Sequence, residues 1–288
     1  MAGRGLTSKS MSIVAMTGIY FVALFVGWFV LVQMPDAALW YKVLLADIAA
    51  TVFIWATAVL LDNTSVYDPY WSLAPLPIAA YAVAESNFDT RVCIAAFCVL
   101  LWGLRLTWNF LRGWPGFGHE DWRYVAYRRF GTLGYWALSL TGLMLMPTIL
   151  VYLAMTPLLE ASEIGGSLGV LDLLGVVVAL GFLGIETMAD EQLRAFRASN
   201  PPTEAILDTG LWSWSRHPNY LGELGFWWGI ACFGLSVGAA WTAWGAIAIT
   251  LLFMFISVPL IDKRMHERRP AYAEHCKKVP RLFPFLPF

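Results

Sequence analysis

The sequence is short of charge. Only 14% of its 288 residues are Asp, Glu, Lys or Arg, well below the roughly 25% of ordinary soluble domains, which argues against a soluble globule. Acidic and basic residues nearly cancel, at a net charge of -1, so nucleic acid is not an expected partner. The four cysteines, Cys93, Cys98, Cys232 and Cys276, make no CxxC pair, and three lie in apolar runs. They read as buried reduced thiols. The histidines His119, His217, His266 and His275 are too scattered for metal-ligand spacing, and no metal is expected. GxGxxG after a strand, GxxxxGK[ST] and GxSxG are all missing, which removes the soluble nucleotide folds and the serine-hydrolase elbow. Internal repeats and low-complexity tracts are lacking too.

What is present is apolar: 59% hydrophobic residues and 15 Trp. At 1.5 Å per residue, about 20 apolar residues cross a hydrocarbon core of about 30 Å. Eight stretches qualify, approximately 12–33, 40–61, 70–86, 91–112, 132–155, 168–189, 218–235 and 238–261, the third and seventh being short and interrupted. The first follows Arg4 and Lys9 but is too long for a signal-peptide core and lacks a small-residue cleavage site. The expected architecture is therefore all-α, a polytopic membrane helix bundle of about 7–8 transmembrane helices forming one domain over 1–288.

With the N-terminus inside, the outer loops 34–39, 87–90, 156–167 and 236–237 carry no Lys or Arg, although Lys42 and Arg91 sit just inside neighbouring spans. Arg105, Arg112, Arg123, Arg128, Arg129, Arg194, Arg197, Arg216 and the basic tail fall on the other side. That bias predicts both termini in the cytoplasm, in a bacterial inner membrane or an endoplasmic reticulum membrane. The loops 113–131 and 190–217 are long enough to fold over the cytoplasmic mouth of the bundle.

Three segments on that side carry polar groups. In ETMADEQLRAFR, a continuing helix places Glu186, Asp190, Arg194 and Arg197 on one face. Glu186 falls at or within an apolar span, where an ionisable group is costly and points to function. In GLWSWSRHPNYLGELGFWWG, Arg216, His217, Asn219, Tyr220 and Glu223 crowd the start of a span, with Pro218 in its first turn. The free N–H groups of that turn can hold an anionic phosphate, reinforced by Arg216 and His217. Trp212 and Trp214 read as an interfacial belt. The tail DKRMHERRPAYAEHCKKVPRLFPFLPF adds Asp262, Arg264, Arg268, Tyr272 and Lys277. Three basic clusters with aromatic or amide neighbours suit a nucleotide with several phosphates.

The segments SRHPNYLGE, ADEQLRAFR and AYAEHCKKVPRLFPF resemble the steroid 5α-reductase superfamily, in particular its uncharacterised membrane branch. The resemblance covers residues 100–288, the expected catalytic region. Membrane methyltransferases that modify isoprenylcysteine share an Arg-His-Pro-x-Tyr-x-Gly signature with it. The resemblance implies NADPH-dependent reduction of a carbon–carbon double bond conjugated to a ketone, in a steroid-like or other lipid reached from within the bilayer. By position, Asp190 and Arg197 look like cofactor-loop residues, Asn219 like the nucleotide-binding amide and Glu223 like the following helix glutamate, while Glu186 stands where those enzymes have an amide. The superfamily's ketone-binding Glu and Tyr have no plain counterpart. Asp68, in SVYDPYWS, is the nearest acid, Trp102 falls near the tyrosine position, and an Asn-Arg-Gly segment appears as Leu111-Arg112-Gly113.

Such a reduction needs a hydride for the β-carbon, polarisation of the carbonyl and a proton for the α-carbon. A carboxylic acid kept neutral by an apolar site can donate to the developing enolate. Asp68 is the expected acid, assisted by Tyr67 or Tyr70. Beside NADPH and a lipid substrate, two other functions remain open at this stage: an S-adenosylmethionine-dependent methyltransferase and a non-catalytic lipid-binding membrane protein.

Overall fold

The computed structural model describes residues 8–284, so Arg4 and the last residues of the tail, 285–288, lie outside the description. The chain is all helical among the described residues and divides into two compact units, Met1–Glu163 and Ile164–Phe288. Six helical stretches are long and apolar enough to cross a membrane: Lys9–Val32, Leu39–Leu61, Thr90–Gly113, Trp122–Ile164, Val170–Ala198 and Ala240–Arg268. The protein is a polytopic helical membrane protein.

The first unit begins with α1 (Lys9–Val32) and α2 (Leu39–Leu61), joined by a short turn. Both are apolar around their whole circumference, so pattern alone cannot orient them; small residues do. Ser12, Met16, Ala23 and Gly27 of α1 face inward, while Phe21, Phe25, Trp28 and Phe29 stay exposed on the side that lipid would cover. A Cβ at Gly27 would lie 3.2 Å from the Ala46 carbonyl oxygen of α2. After α2 the chain makes a 3₁₀ turn, Thr64–Tyr67, and two short helices, α3 (Tyr70–Leu73) and α4 (Pro75–Glu85). The expected third span thus resolves into fragments. The 11 residues of α4 reach only about 17 Å, too short for a hydrocarbon core of about 30 Å. α5 (Thr90–Gly113) is capped by Asp89, which accepts from the N–H groups of Arg91 and Val92.

The rest of the first unit is one long helical stretch, Trp122–Ile164. Its parts are α6 (Trp122–Tyr127), α7 (Gly131–Leu138), a π-helical segment Ser139–Leu145, and α8 (Met146–Ile164). The π segment leads directly into Thr148, which the candidate site below uses.

In the second unit, α9 (Val170–Ala198) and α10 (Pro218–Ser236) form an antiparallel pair. The antiparallel sense follows from three glycines of α10: Gly222 faces Glu186, Gly225 faces Phe182 and Gly229 faces Ala179. The expected seventh span is therefore a helix of spanning length lying alongside α9, yet it is not among the six apolar ones. Burial explains the difference. Most of α10 is enclosed by protein, including Glu223, Phe226, Trp227, Ile230 and Phe233, and a helix sheltered from lipid need not be apolar all round. Next come α11 (Trp244–Leu252), a second π-helical segment Phe253–Ser257, α12 (Val258–Arg268) and α13 (Tyr272–Cys276).

Candidate functional sites, one in each unit

In the second unit the sequence-level candidates separate into three groups. The most enclosed is built on Asp262 of α12. His217 Nε2 and the Tyr272 hydroxyl donate to Asp262 Oδ1 at 2.8 and 2.6 Å, while Arg281 Nε and Arg216 Nη1 stand 3.2 and 3.6 Å from Oδ2. The Arg216 and Asp262 side chains are only 5% and 8% exposed. Arg216 also donates to the Cys276 sulfur, and its guanidinium lies 5.9 Å from the Tyr272 ring centroid. Its Nε is buried without a hydrogen-bond partner.

Why these residues meet is a matter of chain path. Pro218 begins α10, so the extended residues before it are turned toward the tail. Arg216 N–H donates to the Pro280 carbonyl at 2.9 Å, and the Ser215 hydroxyl donates to that of Arg281 at 3.4 Å. The loop is tied to α9 as well: Leu211 N–H donates to Gln192 Oε1, and the Trp212 indole donates to the Ala189 carbonyl, at 3.0 Å each. Gly210 permits this approach, since its φ of +60° suits glycine and a Cβ there would lie 2.7 Å from the Gln192 amide. Trp212 is therefore a tether; Trp214 is exposed, as a belt residue would be.

Beside this cluster opens a cavity of about 600 Å³ lined by Arg216, Pro259, Asp262, His266, Cys276, Lys277 and Arg281. Three of its side chains are permanently cationic against one carboxylate, so it is an anion-receiving cavity. Burial raises the Cys276 thiol above its usual range, against a smaller opposing pull from Arg216. The sulfur is thus a neutral thiol at neutral pH, suited to accepting the Arg216 contact rather than to nucleophilic attack.

The second group is Asp190, Asn219 and Tyr220. Asn219 Nδ2 donates to Asp190 Oδ1 at 3.2 Å, linking α9 to the first turn of α10, and Tyr220 stacks on His217 at 5.6 Å. Glu186 and Glu223 are buried in the α9–α10 contact, Glu223 accepting from the Trp227 indole at 2.8 Å. The third group is exposed. Arg194 pairs with Glu191 one turn back on the same helix and is exposed. Arg197 is also exposed, but its field reaches Arg269, whose guanidinium is lowered by desolvation, then by Arg197 and Arg268. The sequence reading passed over Arg281, His266 and Cys276 as site members. Arg281 sits among Pro and Phe in the tail, where only the fold reveals that it turns back to Asp262.

In the first unit the expected trio of Asp68, Tyr67 and Tyr70 does not share one centre. Asp68 accepts from the Tyr124 hydroxyl and stands 4.0 Å from Arg123. Tyr67 instead hydrogen-bonds Thr148 at 2.8 Å, and the Tyr70 ring packs against those of Tyr20 and Tyr67, at 5.8 and 5.7 Å between centroids. The physical reason is the 3₁₀ turn, which points successive side chains in different directions, Tyr67 inward and Asp68 toward α6. Asp47, to which the sequence alone gives no role, is a second acid of this unit. It is a buried carboxyl in the middle of α2, and the available signal was its position as the lone ionisable residue of the apolar run 43–61.

Asp68 has a measurable signature. Burial pushes its carboxyl up to about 6, against Arg123 and Tyr124, from an ordinary value of 3.8. A raised folded value means that its contribution to stability is complete below about pH 4 and is lost as pH rises through 6. A displacement of that size corresponds to about 3 kcal/mol. Asp68→Asn should therefore unfold in detergent with a midpoint less sensitive to pH between 4 and 7 than that of the natural protein. Parallel pH profiles for the two would refute the assignment.

Set against known proteins, residues 54–279 match the family described as "Protein of unknown function (DUF1295)". The chain belongs to that family. An uncharacterised protein of the yeast Schizosaccharomyces pombe is 28% identical to this DUF1295 chain over 264 residues, covering 81% of this chain and 76% of the relative. No solved structure matches it. The DUF1295 match takes in Asp68, Arg216, His217, Asn219, Asp262 and Tyr272, while Asp47 and Arg281 lie just beyond its two ends.

Proposed function

We propose that this protein is an NADPH-dependent reductase that saturates a carbon–carbon double bond conjugated to a ketone in a steroid-like or other lipid substrate. The observation that carries the reading is the anion-receiving cavity. A guanidinium enclosed as deeply as that of Arg216, with Nε unpartnered and Arg281 and Lys277 on the same wall, suits a ligand bearing several phosphate charges. S-adenosylmethionine carries one carboxylate and no phosphate, so it would engage fewer of those cations.

When bound, NADPH supplies a hydride. The chain's own residues have the remaining tasks. Arg216, Lys277 and Arg281 hold phosphate oxygens, Tyr272 and His217 fix the carboxylate that positions Arg216, and Asn219 and Asp190 offer amide and carboxylate partners at the start of α10. The cofactor side is assigned to the cytoplasm, matching the bias of Lys and Arg, and the lipid substrate is expected from the bilayer.

Thermal unfolding of the purified protein in detergent tests this. NADPH at 100 times its Kd should stabilise by about 2.7 kcal/mol, and S-adenosylmethionine should not. Arg281→Ala, half-exposed and so tolerant of replacement, should weaken NADPH binding about tenfold, the value of one charge-assisted hydrogen bond. Stabilisation by the methyl donor alone would establish the rival enzyme; stabilisation by neither would support the lipid-binding alternative.

A further inference from the structure

The two carboxylate oxygens of Asp262 keep different company. Oδ1 is filled: His217 Nε2 donates to it at 2.8 Å and the Tyr272 hydroxyl at 2.6 Å. Oδ2 is not. Arg281 Nε and Arg216 Nη1 stand 3.2 and 3.6 Å away, close enough for attraction between charges, yet among the described residues no group donates a hydrogen bond to it. The Nε of Arg216 is likewise buried with no acceptor among the described residues. One wall of the cavity of about 600 Å³ thus holds an orphaned acceptor and an orphaned donor, on side chains only 8% and 5% exposed. A carboxylate oxygen and a guanidinium N–H are strong hydrogen-bonding groups, and leaving both unmade inside a protein is costly unless a ligand completes them.

That ligand must supply a donor for Oδ2 and an anionic acceptor for Nε within one small group. The bridging phosphates of a nucleotide supply only the acceptor, since they hold no proton. An ammonium beside a phosphate would donate, but it would join Arg216, Arg281 and Lys277 as a fourth cation on a wall with one carboxylate. A neutral hydroxyl donates without that repulsion. A hydroxyl next to a phosphate is what sugar and polyol phosphates carry.

Reaching Oδ2 requires one side chain to move. Of its two cationic neighbours Arg281 is the one that faces solvent, at 50% exposure against 5% for Arg216. The backbone of Arg281 is held independently of its guanidinium, because Arg216 N–H donates to the Pro280 carbonyl and the Ser215 hydroxyl to that of Arg281. The guanidinium can therefore turn to an incoming phosphate, which its planar fork grips with two bonds, while the tail stays in place. We propose that the cavity selects a hydroxyl-bearing phosphate: the hydroxyl donates to Asp262 Oδ2, and the neighbouring phosphate is held by Arg216 and by Arg281 once it has left the carboxylate. With the reductase reading, on which this source rests, the hydroxyl belongs to a ribose of the dinucleotide; the glycerol phosphate of a lipid headgroup offers the same chemistry.

Calorimetric titration of the purified protein in detergent separates hydroxyl from phosphate, at about pH 8, where a terminal phosphate with a second pKa of about 6 carries almost no proton. ADP should bind at least about tenfold more tightly than dideoxy-ADP, which lacks both ribose hydroxyls, because a buried acceptor discriminates against a ligand that leaves it unpaired. Arg281→Ala should weaken binding of inorganic diphosphate yet keep that ratio, since it removes a phosphate partner and leaves Oδ2 open. Glycerol phosphate should bind more weakly than ADP; equal binding would keep the hydroxyl–phosphate chemistry and overturn the nucleotide as its source. Equal affinities for ADP and dideoxy-ADP, loss of their ratio in Arg281→Ala, or binding of neither ADP nor glycerol phosphate would overturn the assignment of a hydroxyl to Asp262. NADPH that binds but reduces no enone counts against the reductase alone, and NADPH that binds while the ADP pair shows no preference counts against this assignment alone.

Discussion

Asp262→Ala should destabilise the second unit by about 3–5 kcal/mol, the usual consequence of removing one member of a buried ion pair. The loss is large because one carboxylate has four partners. Its removal leaves the Arg216 guanidinium enclosed with uncompensated charge and strips the hydrogen-bond acceptor from His217 and Tyr272. Asp262→Asn keeps an oxygen for Tyr272 but not the charge, so it should fall between alanine and the natural residue. Thermal unfolding in detergent, read by intrinsic Trp fluorescence, orders the three proteins; equal midpoints would mean that the cluster contributes nothing to holding the tail in place. A separate readout distinguishes anchoring from ligand binding. If the cluster also positions Arg216 for phosphate, NADPH should stabilise Asp262→Asn less than it stabilises the natural protein at the same temperature offset.

Gly229→Val should prevent the α9–α10 pair from closing. A Cβ at position 229 would lie 2.7 Å from the Ala179 Cα, a backbone contact that no rotamer change relieves. Overpacking at a well-filled contact costs about 1–3 kcal/mol when side chains can shift, and here the helices themselves must separate. Gly184 of α9 provides the control, because nothing lies within 4 Å of the position its Cβ would take. Gly184→Ala should be neutral or stabilising by up to about 1 kcal/mol. Size-exclusion profiles and unfolding midpoints of the two variants give the comparison; a well-folded, monodisperse Gly229→Val protein would show that the close approach of α9 and α10 is dispensable.

The membrane helices were readable because a long apolar run with almost no charge is stable in few settings besides hydrocarbon. α1, α2, α5 and α9 all begin within a few residues of the expected starts. Two stretches differ from the simple pattern for separate physical reasons: 70–86 breaks at closely spaced prolines into short helices, whereas 218–235 is one helix, α10, that replaces lipid contact by contact with α9. Site residues near one another in sequence, such as Arg216, His217 and Asn219, were visible as a motif. Residues assembled across helices were not. Asp47 is a lone acid in the sequence of α2, and nothing linear joins it to Thr148, with which it lines one small cavity. Arg194 is a different case. Helical periodicity identifies the face a residue occupies, but not whether its nearest partner is a ligand or, as here, Glu191 on its own helix.

The sheltered, glycine-lined α10 also bears on how the chain is built during synthesis. Its first two turns hold Asn219 and Glu223 and its low hydropathy keeps it out of the set of self-sufficient spans, so it gains little by leaving the aqueous translocation channel alone. α9 precedes it and offers, at Gly175, Ala179, Phe182 and Glu186, the surface that α10 lacks in lipid. The two are expected to leave the channel as a preassembled hairpin, with α9 waiting at the lateral gate until α10 has been made. The same glycines that let the finished helices touch thereby set the order in which the second unit enters the bilayer.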